Sequence, residues 1–266
     1  MKYKLLALDI DGTLLDDNRQ LSEENISAIK RAVDSGVHVT ICTGRPIQGV
    51  KWLVDRLGIT TPVITYNGAE IVDPATNEIL FKNQLLPIDA TKIATLGKEL
   101  GVTLIIWSQG RLYGYPMNDR VEFYKQIALT EPKEVTDVNM LAEEGITKII
   151  WFDEIERINQ LKTQLNGTDF ESVTYVTSNP RFLEFFNSAV SKRISMERLA
   201  EILGVSREET VAIGDGYNDV PMLEGVGLSI AMGNAPDDIK RICKAVTDDN
   251  NHDGVAKAIE QYILCE

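Results

Sequence analysis

Short apolar runs alternate with helix-like segments at both ends of the chain, and this alternation limits the fold more than any other feature. Lys4 to Leu8 reads as a strand buried on both faces. Ser22 then caps a helix with Ile26, Ile29 and Val33 on one face, ended by Gly36. Val37 to Cys42 is a second strand, Pro46 stands where the first turn of another helix should begin, and Pro62 to Tyr66 is a third strand. Asn67-Gly68 reads as a turn, and Ala69 to Asp73 with Glu78 to Lys82 as a hairpin. Towards the other end, helix Lys192 to Leu203 is followed by strand Thr210 to Gly214 and a helix starting at Pro221. Strand Leu228 to Met232, helix Pro236 to Cys243, strand Ala245 to Thr247 and helix Gly254 to Leu264 complete the pattern. Strands and helices joined by short connections imply a doubly wound parallel sheet, an α/β fold.

The middle breaks the alternation. Helix Asp89 to Leu100 precedes strands Val102 to Ser108 and Leu112 to Tyr115. Strand Ile146 to Phe152, helix Ile155 to Leu165 and strands Val173 to Thr177 and Phe182 to Phe186 follow. Helix–strand–strand thus occurs twice, with hairpins at Gln109-Gly110 and Asn179-Pro180. The chain therefore divides into an outer α/β domain, residues 1–84 and 188–266, and an inserted α+β domain, residues 85–187, each of ordinary domain size.

Composition narrows the function. Of 266 residues, 44% are hydrophobic and 25% charged, which is globular composition. No apolar run approaches the ~18 residues of a membrane span. The basic start, Met1 to Lys4, runs into Asp9 too soon for a signal peptide. Three separated cysteines, Cys42, Cys243 and Cys265, fit a reducing cytoplasm without structural disulfides, and two histidines exclude a His-rich metal site. The net charge of −13 argues against nucleic acid or an anionic membrane as partner. It leaves room for a small phosphorylated molecule held by local cations.

Three polar clusters fall at the ends of predicted strands, where open α/β sheets bind ligands, and a lone lysine heads a predicted helix. Asp9-Ile10-Asp11-Gly12-Thr13 follows the first strand. An extended backbone would point Asp9 and Asp11 the same way, outward to the surface, with Ile10 turned to the core. Paired carboxylates there suit metal ligation or a nucleophile and an acid/base, although the run also reads as an acidic turn. Gly214-Asp215-Gly216-Tyr217-Asn218-Asp219 is a second acidic cluster, and with the first it suggests a Mg²⁺ site built of oxygen ligands. Thr43-Gly44-Arg45-Pro46 offers a hydroxyl, a close backbone approach and free N–H groups at a helix start to an anion. Lys192, heading a helix, could add a point charge, or be a solvated surface lysine.

Taken in order, DxDGT, TGR, Lys and GDxxND resemble the four signature motifs of the haloacid dehalogenase-like superfamily, and the resemblance covers the whole chain. The insert resembles the type IIB cap of the Cof-like phosphatases, YidA-type sugar phosphatases among them. Tyr66 to Ala69, Ala231 to Ala235 and Asp253 to Ala256 also look like Cof-family segments. The resemblance implies a Rossmann-like catalytic core with a substrate-specificity cap. It further implies a Mg²⁺-dependent phosphatase of small organic phosphates, sugar phosphates foremost. On that pattern Asp9 is the nucleophile, forming an aspartyl-phosphate, and Asp11 is the acid/base. The metal is held by the Asp9 carboxylate, the Asp11 carbonyl and Asp215, with Asp219 supporting its waters. Thr43, Gly44, Arg45, Lys192 and Asn218 hold the phosphoryl group. A phosphotransferase or mutase of the superfamily, and a non-catalytic phosphate sensor, are the competing readings.

Arg193 departs from the family pattern, which commonly has glycine after the lysine; it either turns away or alters substrate choice. Trp107, Trp151, Phe182, Phe185 and Phe186 read mostly as core, His38 as a packed or edge histidine, Cys42 as buried, and Asp248 to Asn251 as a solvated loop. The connections near 83–87 and 187–190 read as hinges leading into a lid. Oligomeric state is not legible.

Overall fold

Leu5–Leu8 forms strand β1 with all four side chains buried. In the computed structural model, which describes residues 2–165, 167–177 and 179–265, β1 is followed by helix α1 (Glu23–Asp34), β2 (His38–Ile41) and α2 (Lys51–Leu57). Met1 lies outside the described residues. Next come β3 (Val63–Thr65), β4 (Glu70–Val72), β5 (Ile79–Lys82), α3 (Pro87–Glu99), β6 (Thr103–Ser108) and β7 (Arg111–Tyr115). These lead to α4 (Asp119–Ala128), β8 (Lys133–Glu134), α5 (Val138–Glu144), β9 (Ile146–Phe152), α6 (Ile155–Gln164), β10 (Val173–Val176) and β11 (Phe182–Asn187). The chain closes with α7 (Lys192–Leu203), β12 (Thr210–Gly214), α8 (Val220–Gly225), β13 (Leu228–Ala231), α9 (Asp237–Ile242), β14 (Ala245–Val246) and α10 (Gly254–Tyr262). Two compact units result, Met1–Phe81 with Ser191–Glu266, and Lys82–Val190.

The first unit is built on a five-stranded sheet ordered β14-β13-β12-β1-β2, all parallel. Alternation along β1 decides its layering. Leu6 and Leu8 join the core shared with residues of α1, α2 and α10, whereas Leu5 and Ala7 join the core shared with residues of α7, α8 and α9. Val211 and Ile213 against Ala212 repeat the division on β12. Each sheet face is thus covered, which is what continuous apolar strands require. The strand order reverses direction around β1, with β2 on one side and β12 on the other, so the carboxyl ends of β1 and β12 flank a switch point. Beyond β2 lies a smaller sheet, β3-β4-β5, joined through a parallel bridge from Cys42 to Ile64. Helix α7 begins at Ser191, whose side chain accepts from the Ile194 N–H, and ends at Gly204 with φ 67°.

One predicted element start differs in this unit. Pro46 does not open an α-helix: it precedes a single 3₁₀ turn, Ile47–Gly49, and α2 starts only at Lys51.

The second unit is a six-stranded sheet ordered β10-β11-β9-β6-β7-β8, antiparallel apart from the β7–β8 pair. The β6–β7 hairpin turns at Gln109-Gly110, both with positive φ. Leu104, Ile106, Ile149, Trp151, Leu183 and Phe185 share a core with residues of α3, α5 and α6. The alternate residues form the opposite face, where Tyr124 of α4 accepts a hydrogen bond from Trp107 Nε1 at 3.2 Å and packs its ring on Phe182. On that face Lys148 and Glu184 pair across β9 and β11 at 2.9 Å, both side chains buried. The sequence reading left 116–145 unassigned, and this stretch holds α4, β8 and α5. All five aromatics expected in the core are buried, Trp107, Trp151, Phe182, Phe185 and Phe186.

Candidate active site

The strand geometry of β1 stops at Leu8, and the backbone then turns: the N–H groups of Thr13, Leu14 and Leu15 all donate to the Ile10 carbonyl. Ile10 is core, as its position between two carboxylates suggests. Asp9 and Asp11, however, take different environments rather than the same outward one. Asp9 is 5% exposed and accepts from the Lys192 ammonium, whereas the Asp11 side chain is 55% exposed and is gripped by Arg45. Arg45 Nε donates to Asp11 Oδ2 at 2.8 Å, and Nη2 donates to Oδ1. A planar guanidinium matches a carboxylate in this two-point manner. Arg45, expected among the phosphate ligands, is thus engaged with Asp11.

Gly12 is fixed by two constraints. Its φ is +85°, and a Cβ there would lie 2.4 Å from Asp215 Oδ2. The two acidic turns therefore touch through a residue that has no side chain. Thr13 Oγ1 donates to Asp215 Oδ1 at 2.7 Å, and Asn234 Nδ2 donates to the Gly12 carbonyl at 2.8 Å. Neither Thr13 nor Asn234 was singled out as a functional residue by sequence; each belongs to a recognised segment, and only the turn geometry gives it this task.

Asp219, fully buried, ties the GDxxND turn together. Its Oδ2 accepts from the Asp215 N–H at 3.1 Å and the Gly216 N–H at 3.0 Å, while Oδ1 accepts from Lys192. Gly214 is required because a Cβ would meet Asp219 Oδ2 at 2.7 Å. Lys192 is 1% exposed, so it is no solvated lysine; it lies between Asp9 and Asp219. Burial disfavours its charge, but Asp219 and Asp9 outweigh that and raise its pKa above the ordinary lysine value. Arg193, next along α7, turns to Glu197 at 2.7 Å and packs against Gly225.

Asp9, Asp215 and Asp219 bring carboxylate oxygens within 4.8 Å of one another. Burial, then repulsion from Asp219, pushes Asp9 up to about 8 despite Lys192. Burial, with Asp219 again adding to it, pushes Asp215 up to about 6 against the Thr13 hydrogen bond. Crowded carboxylates that resist ionisation are the electrostatic mark of a place that a cation would relieve. The oxygen donor set fits a hard divalent ion. Asp219 has both oxygens engaged with protein, which leaves Asp9 and Asp215 as the direct candidates.

Thr43 is 1% exposed, its N–H donates to the Ile64 carbonyl at 3.0 Å, and its Oγ1 accepts from the Arg45 N–H at 3.2 Å. With no α-helix starting at Pro46, the N–H groups on offer here belong to a turn rather than a helix terminus. Gly44 leaves room for a neighbour, but that neighbour is Asn67, whose amide lies 3.1 Å from where a Cβ would stand. Asn218 Nδ2 donates to Asn67 Oδ1 at 3.2 Å. Cys42 is buried with its thiol pushed up to about 12 by burial, as suits an inert core residue. His38 stands exposed on the edge strand β2. In the loop expected to be solvated, Asn250 is buried and donates to the Leu15 carbonyl and to Asp17 Oδ1, both at 3.1 Å, so this loop braces the segment after Gly12.

This fold, with its three polar turns around the buried Lys192, is that of a phosphoryl-transfer type of hydrolase, and comparison with known proteins agrees. The family model for haloacid dehalogenase-like hydrolases matches residues 6–259. A Streptococcus pyogenes relative is 35% identical, over 99% of this chain and all of its own. The 5-amino-6-(5-phospho-D-ribitylamino)uracil phosphatase YcsE of Bacillus subtilis is 33% identical, over 98% of this chain and 96% of its own. A haloacid dehalogenase-like hydrolase from Bacteroides thetaiotaomicron superposes with a TM-score of 0.88 at 27% identity, covering 97% of this chain and 98% of that one. The chain belongs to the haloacid dehalogenase-like hydrolases, in their Cof-like branch.

Proposed function

We propose that the protein is a Mg²⁺-dependent phosphatase that hydrolyses small organic phosphate monoesters, sugar or polyol phosphates, through a phosphorylated Asp9. The observation that carries this reading is the placement of Asp9 at the end of β1, between the buried Lys192 and the carboxylates of Asp215 and Asp219. The ribityl phosphate acted on by the YcsE relative is a monoester of this class.

Asp9 Oδ1 accepts one hydrogen bond from Lys192, which leaves it a second lone pair for a cation, and Oδ2 has no protein hydrogen bond among the described residues, so Oδ2 is the oxygen that would attack phosphorus. A carboxylate approaching a phosphate dianion meets repulsion, so positive charge and fixed donors must already be in place. Lys192, held protonated by two carboxylates, supplies the charge. The Thr43 hydroxyl, the Gly44 N–H and the Asn218 amide would hold the phosphoryl oxygens. Asp9 and Asp215 would hold Mg²⁺, with the Asp11 carbonyl, and Asp219 would fix the Asp215 turn from behind. The bound ion would neutralise developing charge on the phosphoryl oxygens. Asp11, aimed by Arg45, would protonate the departing alcohol and then take a proton from the water that cleaves the aspartyl-phosphate. The covalent step divides one difficult displacement into two easier ones.

We assign discrimination among substrates to the inserted unit, Lys82–Val190, because none of these groups lies in it. The three cysteines are free, which agrees with a reducing cytoplasm. Among the described residues no helix is long and apolar enough to cross a membrane. The test is phosphate release from 4-nitrophenyl phosphate and a panel of sugar and polyol phosphates, with Mg²⁺ and with chelator, plus acid-quench trapping of labelled enzyme. Release that needs Mg²⁺ and label on Asp9 are expected. Release unaffected by chelator, or transfer to a second sugar hydroxyl in place of water, would overturn the reading.

A further inference from the structure

The turn after β3 holds three successive residues at positive φ: Tyr66 at 51°, Asn67 at 58° and Gly68 at 103°. Glycine takes that region freely and asparagine tolerates it, but for tyrosine it is unfavourable. Such a conformation persists only where the surroundings hold it. Here they do so from two sides. The Tyr66 N–H donates to the Arg45 carbonyl at 3.2 Å and the Asn67 N–H to the Thr43 carbonyl at 2.8 Å. On the other side Ser195 Oγ, buried in the first turn of α7, donates to the Gly68 carbonyl at 2.5 Å. A Cβ on Gly68 would lie 2.3 Å from the Ser191 carbonyl oxygen, so the turn is packed directly against the residue that caps α7 and precedes Lys192. From the apex the Asn67 side chain fills the space above Gly44, and its Oδ1 accepts from Asn218 Nδ2. One turn therefore touches the Thr43–Arg45 turn, the head of α7 and the Asn218 amide, which come from three separate stretches of sequence.

We propose that Asn67 is a positioning residue: through Oδ1 it orients the Asn218 amide and so sets the spacing of the donors that receive the phosphoryl group. This rests on the phosphatase reading above. The mechanism is simple. An Asn218 amide free to rotate would present its oxygen to the phosphoryl group as readily as its N–H₂, and an anion needs the donor. Accepting one N–H at Asn67 fixes which way the amide faces. The backbone conformation at Asn67 delivers the side chain to that place, and Gly44 leaves it room.

The experiment uses the full chain with Mg²⁺ and 4-nitrophenyl phosphate. It compares wild type with Asn67→Gly, Asn67→Ala, Asn218→Ala and the Asn67→Gly/Asn218→Ala double variant. Glycine and alanine both delete the amide, but only alanine resists φ near 58°. Equal losses of kcat/KM in the two variants are expected, roughly 10- to 100-fold on the scale of misplaced donors, with a lower Tm for alanine alone. In the Asn218→Ala background, Asn67→Gly should add less than about twofold, since residues acting as one unit are not additive. Activity losses that follow Tm, or that multiply independently in the double variant, would overturn the proposal. A readout without turnover separates this from the parent reading. The side-chain amide resonance of Asn218, assigned by its loss in Asn218→Ala, should shift in Asn67→Gly. A wild type that cleaves no phosphomonoester would sink the phosphatase reading, and the Asn218 resonance alone would then decide for or against the positioning role.

Discussion

Arg45 holds the Asp11 carboxylate with two of its nitrogens, Nε at 2.8 Å from Oδ2 and Nη2 on Oδ1. The two residues lie on different turns, and Asp11 is otherwise more than half exposed. An exposed carboxylate left alone samples many rotamers, and a general acid must meet its leaving oxygen in one of them. If Asp11 is the acid proposed above, the guanidinium would act on its orientation before it acts on charge.

Arg45→Lys should accordingly lower kcat, because a lysine keeps the charge but not the two-point geometry. The loss should depend on the leaving group. Sugar phosphates, whose alkoxides need protonation, should lose roughly 10²-fold or more, within the usual range for a positioned acid. 4-Nitrophenyl phosphate, whose phenolate leaves readily, should lose much less. Steady-state kinetics on both substrates decides; equal losses would return Arg45 to phosphate binding.

Asp9→Asn should abolish turnover and, in chelator-treated protein, raise stability at neutral to alkaline pH. The sign follows from the raised pKa. A carboxyl moved from 3.8 to about 8 by folding holds its proton more tightly in the folded state. Its contribution is fully present below about pH 4 and is lost as pH rises through about 8. The amide cannot ionise and escapes that loss. The gain in Tm of the variant over wild type should therefore widen between about pH 4 and about pH 8, measured by thermal melting without metal. A gap that narrows with pH would show that Lys192 outweighs burial at this carboxylate.

Much of this was legible in the sequence, and the rest was not for identifiable reasons. Helix α7 was readable to its ends because Ser191 caps it and Gly204 stops it. Three of the motifs were readable because strand ends in a parallel sheet are where polar clusters stand out against apolar runs, and Lys192 was readable only through the family resemblance that the four make in order. Helices α4 and α5 were missed, although Asn118 and Asp137 cap them. Helix α4 buries Val121, Tyr124 and Ala128 but exposes Phe123 and Ile127, so its apolar residues form no single stripe. In the site, residue types were readable and partnerships were not. Nothing near Arg45 in the chain names Asp11, and nothing near Lys192 announces full burial between two carboxylates. Such pairings belong to turns brought together only by the sheet.

Gly12→Ala should damage the proposed Mg²⁺ site and spare the core. Alanine at φ +85° is strained, and its Cβ would displace the Asp215 carboxylate from its place on Thr13. The expected result is a Mg²⁺ requirement raised by about tenfold or more, given what supporting contacts contribute to metal affinity, with a modest fall in Tm. Activity titrated against Mg²⁺ is the measurement, and an unchanged midpoint would remove Asp215 from the ligands.

The last expectation concerns the inserted unit alone. Lys148 and Glu184 pair at 2.9 Å with side chains 3% and 6% exposed, the most deeply buried ion pair outside the Asp9 site among the described residues. Burial lowers the Lys148 pKa, but Glu184 and Tyr124 more than compensate and hold it above the ordinary lysine value, so Lys148 stays protonated at neutral pH. Two desolvated charges in contact gain little over an apolar pair of the same volume, but one left without the other is costly. Lys148→Met should therefore destabilise the protein by about 3–5 kcal/mol, the usual cost of stranding a buried charge. Lys148→Met with Glu184→Leu should cost far less than the single change. Urea denaturation followed by tryptophan fluorescence can report this, because Trp107 and Trp151 lie in strands of the same sheet. A double variant as unstable as the single would mean that the pair itself, and not the stranded carboxylate, stabilises the sheet.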